Sequence, residues 1–242
     1  MKVTKLIAGM LCVLVTQAII AQEQTVKSQK AKETTVEDEY MGGSAEEALI
    51  TELAASDDYD NKQLALSYLS DAVDGGRTSP EIVASLSGLA GEGIKTQSRM
   101  NGRVMNNFPD VRASACDLLG KVATEESKNT LVSIAVEDKE PMVVTAAIRS
   151  LGNIGINDND EVVAMIEFVH RKYAVLNPTS SLALEVLNAY EKLEGSVQDK
   201  NAMVASIVAI RSNTRYAKSV RDRAQQLLNT IQQNGQRKSE SQ

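Results

Sequence analysis

The chain has 242 residues, of which 43% are hydrophobic, so it is long and apolar enough to bury a sizeable core. Aromatic residues make up only 3% and Trp is absent, so the core must be built from Ala, Val, Leu and Ile, which favours closely packed helices over a sheet sandwich. The formal net charge of −6 argues against general nucleic-acid binding, because no overall excess of positive charge is present to neutralise phosphates.

The first 21 residues have the pattern of a secretory signal peptide. Lys2 and Lys5 precede an apolar run from Leu6 to Ile20, and an abruptly polar stretch begins after Ala21. The run is shorter than the roughly 20 residues that a membrane-spanning helix needs. We therefore expect cleavage after Ala21, with Ala18 as the second choice. The expected location is the periplasm or the exterior, without a stable membrane span.

Two alternatives apply to this segment. The first is an anchor that is not cleaved, and N-terminal sequencing of the exported protein would distinguish it from a signal peptide. The second is a lipoprotein, which is less favoured because Cys12 follows the bulky Leu11 and lies early in the apolar run.

Cleavage would change the charge and the cysteine content of the chain. Loss of Lys2 and Lys5 lowers the formal charge from −6 to −8, and loss of Cys12 leaves Cys116 as the sole cysteine. An intrachain disulfide is then excluded, so packing alone must hold the fold. Cys116 lies in an Ala/Leu-rich helical stretch, which favours a small buried apolar residue over a reactive or intermolecular thiol.

Three segments follow. Residues 22–43 are rich in charged and small polar side chains with no sustained apolar period, which predicts a flexible polar leader. Residues 44–233 have helical periodicity throughout. Residues 234–242 are again polar and predict a disordered tail.

A pair of Ala and Leu four residues apart recurs through the helical segment, and residues four apart share one helix face. The five pairs are Ala65 with Leu69, Ala115 with Leu119, Ala147 with Leu151, Ala183 with Leu187, and Ala224 with Leu228. The intervals between the alanines are 50, 32, 36 and 41 residues. A second apolar-periodic segment precedes each pair, so the repeating unit is a helical hairpin whose open face is covered by the next hairpin.

Proline positions agree with this division into helices. Pro109 and Pro141 each stand six residues before the alanine of a pair, and Pro178 stands five before Ala183. Pro80 follows Ser79, which is a good N-cap residue. Each proline is therefore predicted to mark the beginning of a helix.

The stretches PDVRASACDLLGKVA (109–123) and SVRDRAQQLLNTI (219–231) resemble HEAT and HEAT-like (PBS-lyase-type) repeats, which carry a Val-Arg step, then Ala, then Leu-Gly. The matching positions are Val111, Arg112, Ala115, Leu119 and Gly120 in one copy, Ala147, Leu151 and Gly152 in the next, and Val220, Arg221, Ala224 and Leu228 in the last. The Val-Arg step is absent from three of the five copies. The resemblance implies an all-α, right-handed α-solenoid of stacked antiparallel helix pairs that binds macromolecules on an extended surface. Some HEAT-like proteins instead assist cofactor attachment.

Residues with catalytic chemistry are scarce. His170 lies in FVHRKY near a predicted helix C-terminus, where a cation would favour the helix dipole. The acidic run at residues 157–163 lacks the glycine and the distant Glu of a calcium loop, so its acids are expected to cap the following helix. No catalytic residue, metal ligand or cofactor site is predicted.

The longest interval contains an insert at residues 91–108. Lys95, Arg99 and Arg103 follow one another at a spacing of four residues, so a helical insert would place three cations on one face of an otherwise acidic chain. One interpretation is a docking site for an acidic protein partner. The other is a solvated stripe, or one paired with the chain's own carboxylates.

The sequence thus favours a non-enzymatic protein-interaction module or scaffold, exported from the cytoplasm, with a protein partner and no nucleic acid. Two alternatives stay open. One is an accessory or chaperone-like protein that assists cofactor attachment to another protein, or its assembly, and this requires a pocket with clustered polar groups. The other is a structural component of an envelope assembly.

Overall fold

The structure, a computed structural model, describes residues 36–240. The predicted signal peptide, Cys12 and most of the predicted leader lie outside this range. The repeats lie in one compact unit that begins at Glu47.

The described range contains ten α-helices, one short 3₁₀ turn and one two-stranded hairpin. The helices are α1 (Val36–Ala55), α2 (Tyr59–Asp74), α3 (Pro80–Ala90), α4 (Pro109–Leu119), α5 (Glu125–Glu137), α6 (Pro141–Ile154), α7 (Glu161–Leu176), α8 (Ser180–Leu193), α9 (Asn201–Ser212) and α10 (Lys218–Glu240). The strands are β1 (Arg99–Met100) and β2 (Arg103–Val104), and the 3₁₀ turn is Asp158–Asp160.

Helices α2 to α10 alternate between two layers. In the even layer, α2, α4, α6, α8 and α10 each pack against the next, and in the odd layer α3, α5, α7 and α9 do the same. Each odd helix also packs against the even helix that follows it. This arrangement is the all-α solenoid of stacked helix pairs that the sequence predicted. The handedness of its superhelix stays a prediction.

The ten residues of the Ala and Leu pairs lie in the even helices, and all ten are buried. The exposed fraction is at most 1% for Ala65, Leu69, Ala115, Leu119, Ala147, Leu151, Ala183, Leu187 and Ala224, and it is 7% for Leu228. The alanines allow close approach of the neighbouring helices, and the leucines fill the space beside them. These residues are therefore core positions of the repeats.

Helix beginnings follow local chemistry. Pro80, Pro109 and Pro141 each occupy a first-turn position, where the missing N–H is not needed. Ser79 accepts a hydrogen bond from the Ile82 N–H, as its predicted N-cap role requires. Asp58 caps α2 in the same way, through the Asn61 N–H.

Two helix ends extend beyond the predicted domain limits. Helix α1 begins at Val36, inside the segment expected to be a flexible leader, and α10 continues to Glu240, inside the expected tail. Adding a residue to an existing helix fixes one residue for one hydrogen bond, whereas starting a new helix fixes several. Residues next to a helix that has already formed can therefore prolong it, even where their own helix propensity is poor, as at Gly42 and Gly43 of α1.

No helix within residues 36–240 is both long enough and apolar enough to cross a membrane.

Candidate interaction surfaces

The insert at residues 91–108 is a β-hairpin rather than a helix, so the helical arrangement considered for it was wrong. Strands β1 and β2 pair in antiparallel register. Asn101 and Gly102 join them with φ values of 51° and 79°. A two-residue hairpin turn of this kind needs positive φ at both positions, and Asn-Gly is the dipeptide that adopts it most readily.

The hairpin separates the cations that a helix would have aligned. Met100 is opposite Arg103, and Arg99 is opposite Val104. Opposed residues share a face of a strand pair while consecutive residues alternate, so Arg99 and Arg103 lie on opposite faces. Arg99 donates to Gln97 Oε1 at 2.6 Å. In the described part of the chain Lys95 and Arg103 make no ion pair, and all three cations are exposed.

A buried ion pair attaches the insert to α2. Lys62 Nζ donates to Glu92 Oε2 at 2.8 Å and to the Ala54 carbonyl at 3.0 Å. The two side chains are only 2% and 8% exposed. Asn106 donates both to the Glu92 carboxylate and to the Thr96 carbonyl, so the insert closes on the same buried charge.

Arg112 of α4 forms a second attachment. Its Nε donates to Asp138 Oδ2 at 2.7 Å, and its Nη1 donates to Asn107 Oδ1 at 2.9 Å and to the Glu92 carbonyl at 3.2 Å. Tyr173 of α7 donates to the Asp138 carbonyl at 3.1 Å. The guanidinium group of Arg112 therefore joins the insert to the connection between α5 and α6. The sequence identified Arg112 only as a position of the repeat motif.

A cavity of about 250 Å³ lies between the insert and this connection. Its lining residues are Gly93, Ile94, Gln97, Val104, Asn107, Arg112, Glu137, Asp138, Lys139 and Glu140. Arg112 and Asp138 are paired with each other there. Across the described residues no group of three or more His, Cys, Asp and Glu side chains is arranged to hold a metal ion.

His170 is buried, contrary to its expected role as a cation at a helix end. It is 2% exposed, with Ser206 Oγ 2.9 Å from Nδ1 and the Tyr216 hydroxyl 3.3 Å from Nε2. Burial lowers its pKa to about 4, so the ring is neutral at pH 7. Cys116 is fully buried, and this burial raises the pKa of its thiol.

The acids before α7 do not cap that helix as expected. Asp160 instead accepts hydrogen bonds from the backbone N–H groups of Gln198 and Asp199, at 2.9 and 2.7 Å, which lowers its pKa. Asn157 takes the capping role, because its Oδ1 accepts from the Val163 N–H at 3.2 Å.

The exposed side of the even layer is crossed by ion pairs at every step from α2 to α10. The bridges are Asp74 with Lys121, Asp117 with Arg149, Arg149 with Glu185, and Glu191 with Arg223. Each pair joins one even helix to the next, and Lys121 lies two residues beyond the end of α4. The charges of this surface are therefore largely balanced within the protein.

The odd layer has a different surface at the C-terminal ends of its helices. Lys172 donates to the Val136 carbonyl at 3.2 Å, and Arg215 donates to the Ala174 carbonyl at 3.0 Å. Carbonyl groups at a helix C-terminus attract cations but carry no full negative charge. By contrast, Lys128 at the N-terminal end of α5 is bound by carboxylates that include Glu161 of α7.

The cations at this end of the odd layer form what we term the basic edge. The basic edge begins at the insert and passes the connection between α5 and α6. It then reaches α7 and the connection between α9 and α10. The contacts of Asp138, Lys172 and Arg215 place these parts next to one another. The members of the basic edge are Lys95, Arg99, Arg103, Lys139, Lys172 and Arg215. Among the described residues none of these six forms a salt bridge, although Glu137 and Glu140 lie nearby.

Stacked helix pairs with these exposed layers define the class of α-solenoid repeat proteins. A family model described as HEAT repeats matches residues 103–176, from β2 to the end of α7. This stretch of the chain therefore contains HEAT-like repeats, and such repeats generally mediate interactions between proteins and are typically non-enzymatic. No curated protein and no solved structure matches the chain significantly.

Proposed function

We propose that this protein is an exported, non-enzymatic scaffold that binds an acidic protein partner along the basic edge. Export is supported by the charge and apolar pattern of the first 21 residues, and protein binding is supported by the HEAT-like repeats.

The unequal pairing of charges between the two layers carries this proposal. The even layer has a carboxylate for the cation at each step between helices, whereas the six cations of the basic edge have none among the described residues. In a chain of net charge −6, unpaired cations gathered at one edge are available to the carboxylates of another molecule.

The insert part of the basic edge is held in place by buried hydrogen bonds. The insert that presents Lys95, Arg99 and Arg103 is attached through the buried side chains of Glu92 and Asn106. A surface fixed before binding loses less conformational freedom when the partner binds. The partner is therefore expected to meet three cations whose backbone is already in place.

Affinity capture with the full chain tests the proposal. The test variant reverses three charges of the basic edge (Lys95→Glu, Arg99→Glu and Arg103→Glu). The control makes the same change in charge on the even layer (Lys121→Glu, Lys192→Glu and Lys218→Glu). We expect discrete acidic proteins to be recovered by the wild type and the control, and recovery by the test variant to fall by at least about tenfold.

Equal recovery by the test variant and the control would overturn the proposed use of the basic edge. Export is tested separately by N-terminal sequencing of the protein from the envelope fraction. An N-terminus at Gln22 is expected, and a retained Met1 would overturn the proposal of a cleaved signal peptide.

A further inference from the structure

Large apolar side chains are exposed on α7 and α9, next to the basic edge. Phe168 is 47% exposed, Val175 71%, Leu176 72% and Val208 43%. Val175 and Leu176 have the highest exposed fractions among the large apolar side chains of the described residues. Burying such side chains in a complex is favourable by about 25 cal/mol for each Å² removed from water.

Helix geometry places two of these side chains on a single face. Phe168 and Val175 are seven residues apart, and two turns of a helix bring such residues to the same side. The opposite side of α7 is buried in the core, where it includes Ile166 and Tyr173. Phe168 and Val175 therefore project away from the core.

The neighbouring helix continues this surface. Helix α9 packs beside α7 in the odd layer, and Val208 lies on its exposed side. Exposed alanines occur on the two helices at Ala164, Ala205 and Ala209. Ala164 lies one turn from Phe168 and Ala205 one turn from Val208, and these small side chains allow a partner to approach both helices closely. These five residues and Val175 are termed the α7–α9 face.

The charges around the α7–α9 face are mainly positive. Helix α9 contains no acidic residue, and Arg211 near its end donates to a neutral group, Gln225 Oε1, at 2.8 Å. Lys172 and Arg215 of the basic edge lie next to the C-terminal end of α7. Arg171 of α7 is a fourth described cation in this area. It differs from Lys172, Arg211 and Arg215 because it forms an ion pair with Glu167, at 3.3 Å. An apolar surface with this border suits a partner that has apolar side chains flanked by acids.

We propose that the α7–α9 face binds an amphipathic helix whose apolar side is flanked by Asp or Glu. The apolar side chains of that helix pack against Phe168 and Val208, and its carboxylates reach Lys172, Arg211 and Arg215. This inference rests on the proposed function, since it specifies the kind of protein segment that the scaffold binds.

The even layer provides an internal comparison for the test. Met142 and Leu184 are also exposed there, at 53% and 36%, but they lie among the ion pairs of Arg149 with Asp117 and Glu185. Met142 is about as exposed as Phe168, Leu184 is less exposed than Val175, and the charges beside Met142 and Leu184 are balanced. Substitution of these two residues therefore serves as a control for the loss of exposed apolar side chains.

The probe is a synthetic amphipathic helix of about 18 residues with Leu on one side and Glu on its flanks, and a second peptide has Lys in place of Glu. We expect the full chain to bind the acidic peptide at least about tenfold more tightly than the basic peptide. Phe168→Ser with Val175→Ser should weaken binding of the acidic peptide at least about tenfold, and Met142→Ser with Leu184→Ser should leave it unchanged. Because all four residues are exposed, neither double variant removes buried core.

Three results would overturn the inference. They are equal affinity for the two peptides, equal weakening by the two double variants, and binding to phosphatidylglycerol vesicles without binding to the acidic peptide. The last result would identify the α7–α9 face as a membrane-contacting surface. If partners are still captured through Lys95, Arg99 and Arg103 but Phe168→Ser with Val175→Ser has no effect, the proposed function stands and this inference fails.

Discussion

The insert at residues 91–108 is attached to the fold by buried ion pairs and hydrogen bonds, whereas α4, α6 and α8 are attached to one another by close packing of small residues. In the insert, Glu92 meets Lys62 and Asn106. In the even layer, a Cβ atom placed on Gly152 would lie 2.8 Å from Ala189 Cα. Two regions of one domain thus depend on different forces.

This difference matters for how each region responds to change. A close-packed apolar contact tolerates removal of a few atoms at a graded loss, because the neighbours relax around the change. A buried charge has no such tolerance, since removal of its partner leaves it both out of water and unpaired. The insert should therefore be the more sensitive region to a single substitution.

The largest effect is expected from Lys62→Met. Glu92 would keep its buried position without its cation, at a loss of about 3–5 kcal/mol in the free energy of unfolding. Lys121→Met removes the exposed pair with Asp74 and should change stability far less, because water and salt screen that pair. Urea denaturation of both variants measures the two losses. Equal losses would show that burial does not separate these two ion pairs.

The second-largest effect is expected from His170, which is a buried and neutral side chain of the repeats. The unfolded state binds a proton at His170 near pH 6.5, while the folded state does so only near pH 4. Between these values the unfolded state holds more protons, so His170 reduces stability as the pH falls. We expect the free energy of unfolding of the wild type to fall by about 2 kcal/mol between pH 7.5 and pH 5 because of His170, and we expect His170→Gln to lack this fall. Urea midpoints at both pH values measure it, and identical pH dependence in wild type and variant would contradict the prediction.

The smallest effect is expected from Gly152→Ala. The new methyl group would press against Ala189 of α8, at a loss of about 1–3 kcal/mol that better helix propensity offsets by about 1 kcal/mol. The control is Gly88→Ala in α3, where no atom lies within 4 Å of the added Cβ, and this substitution should stabilise the protein slightly. Thermal unfolding compares the two variants. A stabilised Gly152→Ala protein would mean that α6 and α8 separate easily.

The repeat region was largely predictable because its determinants are local. The spacing of Ala115 and Leu119 with the apolar residues around them defines a helix face, and Pro109 and Pro141 mark where helices begin. Packing of these faces against each other then follows, since each hairpin has one apolar side to cover. The family resemblance rested on the same residues.

The insert was predicted less well, although one signal was present. The spacing of Lys95, Arg99 and Arg103 suits a helix, but exposed charges do not need to share a face, so their spacing says little about backbone structure. The dipeptide Asn101-Gly102 is a hairpin signal, and it is a better guide to the backbone here than the spacing of the charges. The attachment of Glu92 to Lys62, 30 residues earlier, has no local pattern at all.

The candidate site could be predicted only in part. The cations of the insert were visible in the sequence, but the α7–α9 face was not. Helix α7 has apolar residues on several sides, and the sequence does not say which of them a neighbouring helix covers. The buried position of His170 depends in the same way on Ser206 and Tyr216, which follow 36 and 46 residues later.

The buried polar contacts join residues that are close enough in sequence to meet while the chain is still being synthesised. Lys62 precedes Glu92 by 30 residues, Arg112 precedes Asp138 by 26, and Asp138 precedes Tyr173 by 35. Each of these separations along the sequence is about the length of one repeat. Since domains form from the N-terminus as the ribosome proceeds, every one of these groups meets its partner soon after it emerges. The nascent protein therefore spends little time with the charge of Lys62 or of Arg112 unmatched.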